Sequence, residues 1–247
     1  MSAKRWLLDL GNTRLKMAPL HKGARGELTA LAHADEAFEV ALRAHFAAHD
    51  GDEAWLASVA PLDTTSHLRA LLQDLGMEVQ RVHTHASMGR LKIAYAEPSR
   101  LGVDRFLALL AASARDDGPW LLASAGSALT VDVLGRDGVH RGGLIAPMPA
   151  QMRSALATRF AQLDVPEGAA SDFGSDTADA IASGARAAAL GLLEHSYRRA
   201  SELLGAAPTV LVGGGNAEWL LQAEVPGAQA APGLVLDGMA RYVKESG

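Results

Sequence analysis

Two carboxylates stand among residue types that handle phosphate. Asp9 sits inside the apolar run Arg5–Leu10 and is followed at once by Gly11-Asn12-Thr13. A carboxylate in a buried strand costs free energy unless it is paired or binds something. Glycine lets a ligand approach the backbone closely. Backbone N–H groups and the Asn12 and Thr13 side chains are donors suited to phosphate oxygens. Lys16 brings positive charge near the same turn, and a carboxylate beside phosphate is a seat for hydrated Mg2+. The alternative is a plain Asx-type hairpin turn with Asp9 partly solvated. The second carboxylate, Asp104, lies in Gly102-Val103-Asp104-Arg105 at the start of an expected helix. Negative charge is favoured there, so a purely structural Asp worth about 0.5–1 kcal/mol, paired with Arg105, competes with a chemical role.

Three further glycine clusters admit close ligand approach or, equally, tight strand packing: Gly126-Ser127-Ala128-Leu129-Thr130, Gly142-Gly143 and Gly213-Gly214-Gly215. The last ends an apolar strand before a helix, an arrangement that suits a nucleotide phosphate. It lacks the Gly-Lys-Ser/Thr of a Walker motif, and no Gly-x-Ser-x-Gly nucleophile elbow occurs. His83-Thr84-His85 has no third metal ligand at a matching spacing and reads as a solvated loop. His33, His45 and His49 read as surface residues of a polar helical region.

The elements that must position these residues follow from periodicity and turn chemistry. Residues 5–10 and 14–20 predict a β-hairpin. Helix 37–49 carries Phe38, Leu42 and Phe46 on one face. Strand 53–59, a helix capped by Asp63 or Thr64 and ending near 75, and strand 78–82 complete an alternating α/β pattern. Residues 83–100 read as irregular, and a helix is expected over 101–115. Strands follow at 120–125, 129–134 and 139–145, with an Asp137-Gly138 hairpin turn before the third. A helix entered through Pro147 and Pro149 runs to about 162, and a polar loop spans 165–175. A long helix opens at Asp176 or Thr177 and runs to 204, then come strand 209–212 and helices at 216–223 and 235–244. The strand-turn-strand of Leu7 to Thr13 is echoed by Leu122 to Ala128, which suggests two similar halves, each opening on a hairpin.

Composition excludes several classes. With no cysteine among 247 residues there is no disulfide scaffold, Cys zinc site or thiol nucleophile. A net charge of −5 argues against a nucleic-acid partner. The absence of an apolar run of about 20 residues argues against a membrane span. Asp9 interrupts the N-terminal apolar stretch before it becomes a signal peptide, so a cytoplasmic protein is expected.

Taken together and in order, these motifs resemble those of the type III pantothenate kinase family, within the sugar-kinase, heat-shock-protein and actin superfamily. The family's Asp-x-Gly-Asn-Thr corresponds to Asp9 through Thr13. Its Tyr ahead of Leu-Gly-x-Asp-Arg corresponds to Tyr95 and Leu101 through Arg105. Asp-x-Gly-Thr-Ala-x-Thr corresponds to Ser124 through Thr130, and Gly-Gly-x-Ile-x-Pro-Gly to Gly142 through Met148. Thr177, Ala180, Ile181 and Gly184 match a later segment, and Gly213-Gly214 the final Gly-Gly loop.

The resemblance implies an α/β fold of two ribonuclease-H-like lobes, an actin-like duplication with each mixed sheet flanked by helices. The lobes are expected over 1–100 and 101–247. It implies transfer of the ATP γ-phosphate to the 4′-hydroxyl of pantothenate, with Asp104 as general base. Tyr95, Gly102, Val103, Arg105 and Thr177 are implied around pantothenate. Asp9, Leu10, Gly11, Asn12, Thr13, Arg14, Leu15, Lys16 and Ser127 are implied around ATP with Mg2+ or a similar divalent cation. A homodimer is implied as well. Ser124 replaces the family's Asp associated with a monovalent cation such as K+ or NH4+, and Met148 replaces a Gly. These departures motivate the alternative of a catalytically impaired accessory or regulatory protein.

Overall fold

The run Arg5–Leu10 forms β1, and every residue after Arg5 is buried. A strand covered on both faces is built from continuous apolar residues, so Asp9 is its one conspicuous member. The fold is that of a computed structural model, which describes residues 4–115, 118–159, 167–215 and 217–246. A tight turn leads to β2 (Arg14–His21), antiparallel to β1 with Asp9 opposite Lys16. β3 (Ala24–Arg25) and β4 (Thr29–Ala32) both pair with β2. Helix α1 (Phe38–His49) buries Phe38, Leu42 and Phe46, one per turn, as the spacing predicts. β5 (Glu53–Ser58) lies parallel to β1, and α2 (Leu62–Asp74) crosses to β6 (Glu78–Arg81), parallel to β5.

The expected Asp63 or Thr64 cap is corrected. Pro61 precedes α2, whose first residue is Leu62, and no side chain caps it. Proline's fixed φ presets the helical entry, which leaves Asp63 in the first turn. The stretch 83–100 is more ordered than expected. It holds the short hairpin β7 (Ser87–Met88) and β8 (Leu91–Lys92) and a 3-10 turn at Pro98–Arg100. Two-residue strands are too short to show alternation. Helix α3 (Val103–Ser113) follows Gly102.

The second sheet starts with β9 (Trp120–Ala125), antiparallel to β10 (Leu129–Leu134), which is flanked by β11 (His140–Ala146). Then come α4 (Pro149–Arg159), α5 (Thr177–Leu204), β12 (Thr209–Gly213) and β13 (Gln229–Ala230). The helix expected to reach 162 is described to Arg159 and the rest of that expectation lies outside the described residues. The helix expected at 216–223 is a 3-10 turn, Glu218–Gln222, with Asn216 outside the described residues. Helix α6 (Leu234–Ser246) ends the fold.

The echo between the halves is a duplication of topology. The first sheet runs β3-β2-β1-β5-β6 and the second β11-β10-β9-β12-β13. In each, a central strand pairs antiparallel with the strand that follows it and parallel with the next one out. The duplicated α/β lobes are thus present. Asp9 and Ser124 are both fifth in their six-residue strands, so Ser124 holds in the second sheet the position that Asp9 holds in the first.

Two compact units result. The first contains β1–β8, α1–α3, residues 136–141 and α6, and the second contains β9, β10, the remainder of β11, α4, α5, β12 and β13. The boundary expected after residue 100 therefore falls elsewhere. Helix α3 stays with the first unit because α6 returns to pack on it. A Cβ at Gly238 would lie 1.9 Å from the Leu107 carbonyl oxygen, so this contact needs a glycine. The first unit's core includes Trp6, Leu8, Leu42, Leu56 and Leu72, and the second's includes Leu121, Val131, Leu193, Val210 and Val212. Met148, in place of the family's Gly, is buried in that second core, while its N–H donates to Gln151 Oε1 at 2.9 Å.

The surface reading of the α1 histidines is half right. His49 is exposed, but the half-buried His45 stacks on it at 4.5 Å and meets the edge of Trp6 at 5.0 Å. Burial, and then the nearby His49, push the His45 imidazole below its ordinary pKa. Among the described residues, no helix is long and apolar enough to cross a membrane.

Candidate active site

The first unit brings its two carboxylates together around one lysine. Asp9 is 4 % exposed at the end of β1. The antiparallel register sets Lys16 opposite it, and Lys16 Nζ lies 3.3 Å from Asp9 Oδ2. Burial pushes the Asp9 carboxyl above the ordinary carboxylate range. Lys16 opposes this, and the negative charge of Asp104 reinforces it. A raised folded-state pKa means that ionising Asp9 lowers stability as pH rises past the unfolded value. Lys16, 3.3 Å away, already offsets part of that loss, and the carboxylate oxygens are the donor type that a hydrated divalent ion takes. Among the described residues no cluster of three or more acidic or histidine ligands exists. A cation held here would therefore take much of its coordination from water and phosphate, as Mg2+ commonly does.

Asp104 occupies the first turn of α3 and is half-buried. Its Oδ1 accepts the N–H of Arg105 at 2.8 Å. A Cβ on Gly102 would come within 2.7 Å of that oxygen. Burial raises the Asp104 carboxyl above its ordinary range. The Arg105 N–H, the Arg105 guanidinium and Lys16 pull the other way. The outcome is a carboxylate kept more basic than a solvated Asp, beside a lysine and a helix N-terminus.

Tyr95 is tied to the same place. Arg105 is buried and its Nη1 donates to Tyr95 Oη at 3.3 Å, with the guanidinium carbon 5.9 Å from the ring centre. The other ring partner is His140, stacked on Tyr95 at 6.1 Å with 16° between planes. His140 is 1 % exposed, and its Nδ1 accepts the Ala94 N–H at 3.4 Å. Sequence reasoning missed His140, which reads as an ordinary strand residue, because only tertiary docking carries residues 136–141 onto the β8 region. There Lys92 N–H donates to the Gly138 carbonyl at 2.9 Å.

The Gly11-Asn12-Thr13 turn is exposed at Asn12 and Thr13. Its geometry is closed by Gly11 N–H donating to the Arg14 carbonyl at 3.0 Å. His33 joins it, with Nε2 2.9 Å from the Gly11 carbonyl oxygen, which corrects the surface assignment. It lies just after β4, and the pairing of β4 with β2 brings it back to the turn. Nothing local announces that pairing. Leu10 and Leu15 are buried on the hairpin and Arg14 is exposed. His83 and His85 are exposed as expected, and His85 Nε2 lies 2.9 Å from Tyr242 Oη.

The remaining residues lie in the second unit. Ser124 is half-buried opposite Thr130, and Ser127 is half-buried in the turn after β9. Asp132, the other carboxylate nearby in sequence, is buried on β10 opposite Leu122. The Gly213-Gly214-Gly215 loop owes one glycine to packing. Gly214 has φ +102°, and a Cβ there would sit 2.2 Å from the Ala125 carbonyl oxygen. Thr177 is the exposed first residue of α5, behind Asp176, whose carboxylate accepts the Asp179 N–H at 2.9 Å. It lines a shallow groove between α4 and α5 with Met152, Leu156, Ala180, Ile181 and Gly184.

The sequence pattern of the type III pantothenate kinase family matches residues 6–199. The type III pantothenate kinase of Xanthomonas oryzae pv. oryzae is 47% identical over 237 residues, 96% of each chain. That of Stenotrophomonas maltophilia is 46% identical over the same share. Among solved structures, a Campylobacter jejuni protein assigned to the Baf family of transcriptional activators superposes with a TM-score of 0.61 at 20% identity, covering 98% of both chains. A 2-dehydro-3-deoxygalactonokinase from Sinorhizobium meliloti gives 0.57 at 13% identity, covering 97% of this chain and 96% of that one. At these identities the two structures establish the shared fold.

Proposed function

Because this chain belongs to the type III pantothenate kinase family, we propose how its residues divide the work of that family's reaction, the ATP-dependent phosphorylation of pantothenate that begins coenzyme A biosynthesis. Asp104 is the general base. It accepts the proton of the pantothenate 4′-hydroxyl as that oxygen attacks the γ-phosphorus and ADP leaves. The observation that carries this assignment is the placement of Asp104, a half-buried carboxylate in the first turn of α3 whose Oδ1 accepts the Arg105 N–H at 2.8 Å; burial raises its basicity in the same sense. Phosphoryl transfer depends on positioning and charge neutralisation more than on covalent help. The Gly11–Thr13 turn holds the ATP phosphates, with Lys16 adding positive charge. Asp9 is the residue to hold Mg2+ or a similar divalent ion, which when bound neutralises phosphate charge. Tyr95, braced by Arg105 and His140, lines the pantothenate site with Gly102 and Val103. The accessory-protein alternative has no supporting observation of its own.

A hydroxyl at Ser124 offers K+ one neutral oxygen where the family offers a carboxylate. We therefore expect turnover without a monovalent-cation requirement. The test is ADP release by the purified protein with pantothenate and Mg2+, with and without K+. Equal, pantothenate-dependent rates support the reading. Strict K+ dependence would mean that another group, with Asp132 the first candidate, supplies the missing charge.

A homodimer is proposed through the second unit. Leu144 and Ile145 on β11 and Leu156 on α4 are exposed apolar residues, and α4 buries none of its residues in the described chain. Exposed apolar side chains of this kind suit an interaction surface. Thr177 lines the α4–α5 groove with Leu156 and would complete the partner's pantothenate site. Activity should then fall on dilution in step with dissociation, and full activity in a verified monomer would contradict it.

A further inference from the structure

The structure assigns His33 a positioning role: it holds the Gly11–Thr13 turn in the orientation that turns the Asn12 N–H toward the ATP phosphates. The assignment rests on the reading that this turn binds those phosphates.

His33 grips the turn at two points. Its Nε2 is 2.9 Å from the Gly11 carbonyl oxygen. A carbonyl only accepts, so Nε2 carries the proton and donates. Its own backbone N–H donates to the Thr13 carbonyl at 3.3 Å. A trans peptide is planar, with its C=O and N–H on opposite sides. Drawing the Gly11 carbonyl toward His33 therefore directs the Asn12 N–H away from His33. Among the described residues that N–H has no protein acceptor. An unpaired N–H at an exposed turn is the group an anion recruits. Without His33 the Gly11 peptide is free to rotate and to present its carbonyl dipole to the phosphates, which repels them.

The clamp is itself held. The half-buried His33 ring meets the edge of Phe38 at 6.3 Å, and Phe38 is buried on α1. The Gly11 N–H is occupied by the Arg14 carbonyl, so the turn has little other freedom. His33 contacts the loop and not the reacting atoms, so its effect is expected in ATP affinity.

Three variants of the full chain test this. His33→Phe keeps a ring against Phe38 but removes the donor. It is expected to raise KM for ATP about 3- to 10-fold, the scale of one lost neutral hydrogen bond. Its kcat should stay within about 2-fold and KM for pantothenate should not change. His33→Gln sets an amide nitrogen about where Nε2 lies, and is expected to restore KM for ATP to within about 2-fold of the native value. Asn12→Asp places a negative charge on the turn and is expected to raise KM for ATP regardless of His33. If Asn12→Asp raises KM while His33→Phe leaves it unchanged, the His33 assignment fails and the phosphate-turn reading stands. If Asn12→Asp has no effect, the phosphate-turn reading fails and the assignment fails with it. If His33→Gln behaves like His33→Phe, ring packing and not the donated hydrogen bond is what matters, which also overturns the proposal. Melting temperatures of all three, measured without ATP, separate a loss of fold from a loss of affinity.

Discussion

Asp104→Asn is expected to lower kcat at least about 100-fold while leaving the protein folded. The substitution is nearly isosteric, and the Asn oxygen still accepts the Arg105 N–H that Asp104 Oδ1 now accepts at 2.8 Å. What disappears is the group able to take the hydroxyl proton, a contribution commonly worth 10²- to 10⁴-fold, taken as an order of magnitude. Folding has little to lose. Burial already disfavours the charged carboxyl, so a neutral amide relieves that desolvation. The pH profile provides a second reading. A base must be deprotonated to act. Burial raises the Asp104 carboxyl, so the acid limb of kcat should lie above the ordinary carboxylate range and should be missing from the residual activity of the variant. A kcat within about tenfold of the native value, from folded protein with an unchanged circular dichroism spectrum, would remove Asp104 from the base role.

Gly238→Ala should destabilise the first unit markedly, although it adds only one methyl group. Within a helix, Ala is favoured over Gly by about 1 kcal/mol, so propensity alone predicts stabilisation. The contact reverses the sign. The new Cβ would lie 1.9 Å from the Leu107 carbonyl oxygen, with the Leu107 carbonyl carbon at 2.5 Å. Both are backbone atoms of α3, and neither can rotate away as a side chain tip would. Relief requires α6 and α3 to separate, and overpacking of this kind costs on the order of 1–3 kcal/mol or more. In a chain of this size that is a fall of about 3–10 °C in Tm. Since α3 carries Asp104 in its first turn, kcat should fall as well. An unchanged or raised Tm would show that the α3–α6 contact is looser than described.

Much of this organisation is legible in the residues because it is local. An apolar run broken by Asp9, then Gly-Asn-Thr and a second apolar stretch, specifies a hairpin whose register sets Lys16 opposite Asp9. Phe38, Leu42 and Phe46 specify the buried face of α1. The echo of Leu7 to Thr13 in Leu122 to Ala128 anticipates the repeated strand order, because both encode a buried central strand entering a tight turn. What stays hidden depends on distant partners. His33 looks like any polar loop residue until β4 pairs with β2. His140 looks like a strand residue until residues 136–141 dock beside β8. The return of α6 to α3 keeps α3 in the first unit, and the close approach passes over Gly238. Short strands such as β7 and β13 carry too few residues for periodicity.

As a member of the type III pantothenate kinase family, this chain moves a phosphoryl group from ATP to pantothenate. The most direct measurement is mass-spectrometric identification of the product formed by the purified, folded protein from pantothenate, ATP and Mg2+. Accumulation of 4′-phosphopantothenate in equal amount to ADP, abolished by Asp104→Asn, is the predicted result. No phosphorylated pantothenate from folded protein, or ADP release that proceeds equally without pantothenate, would contradict it.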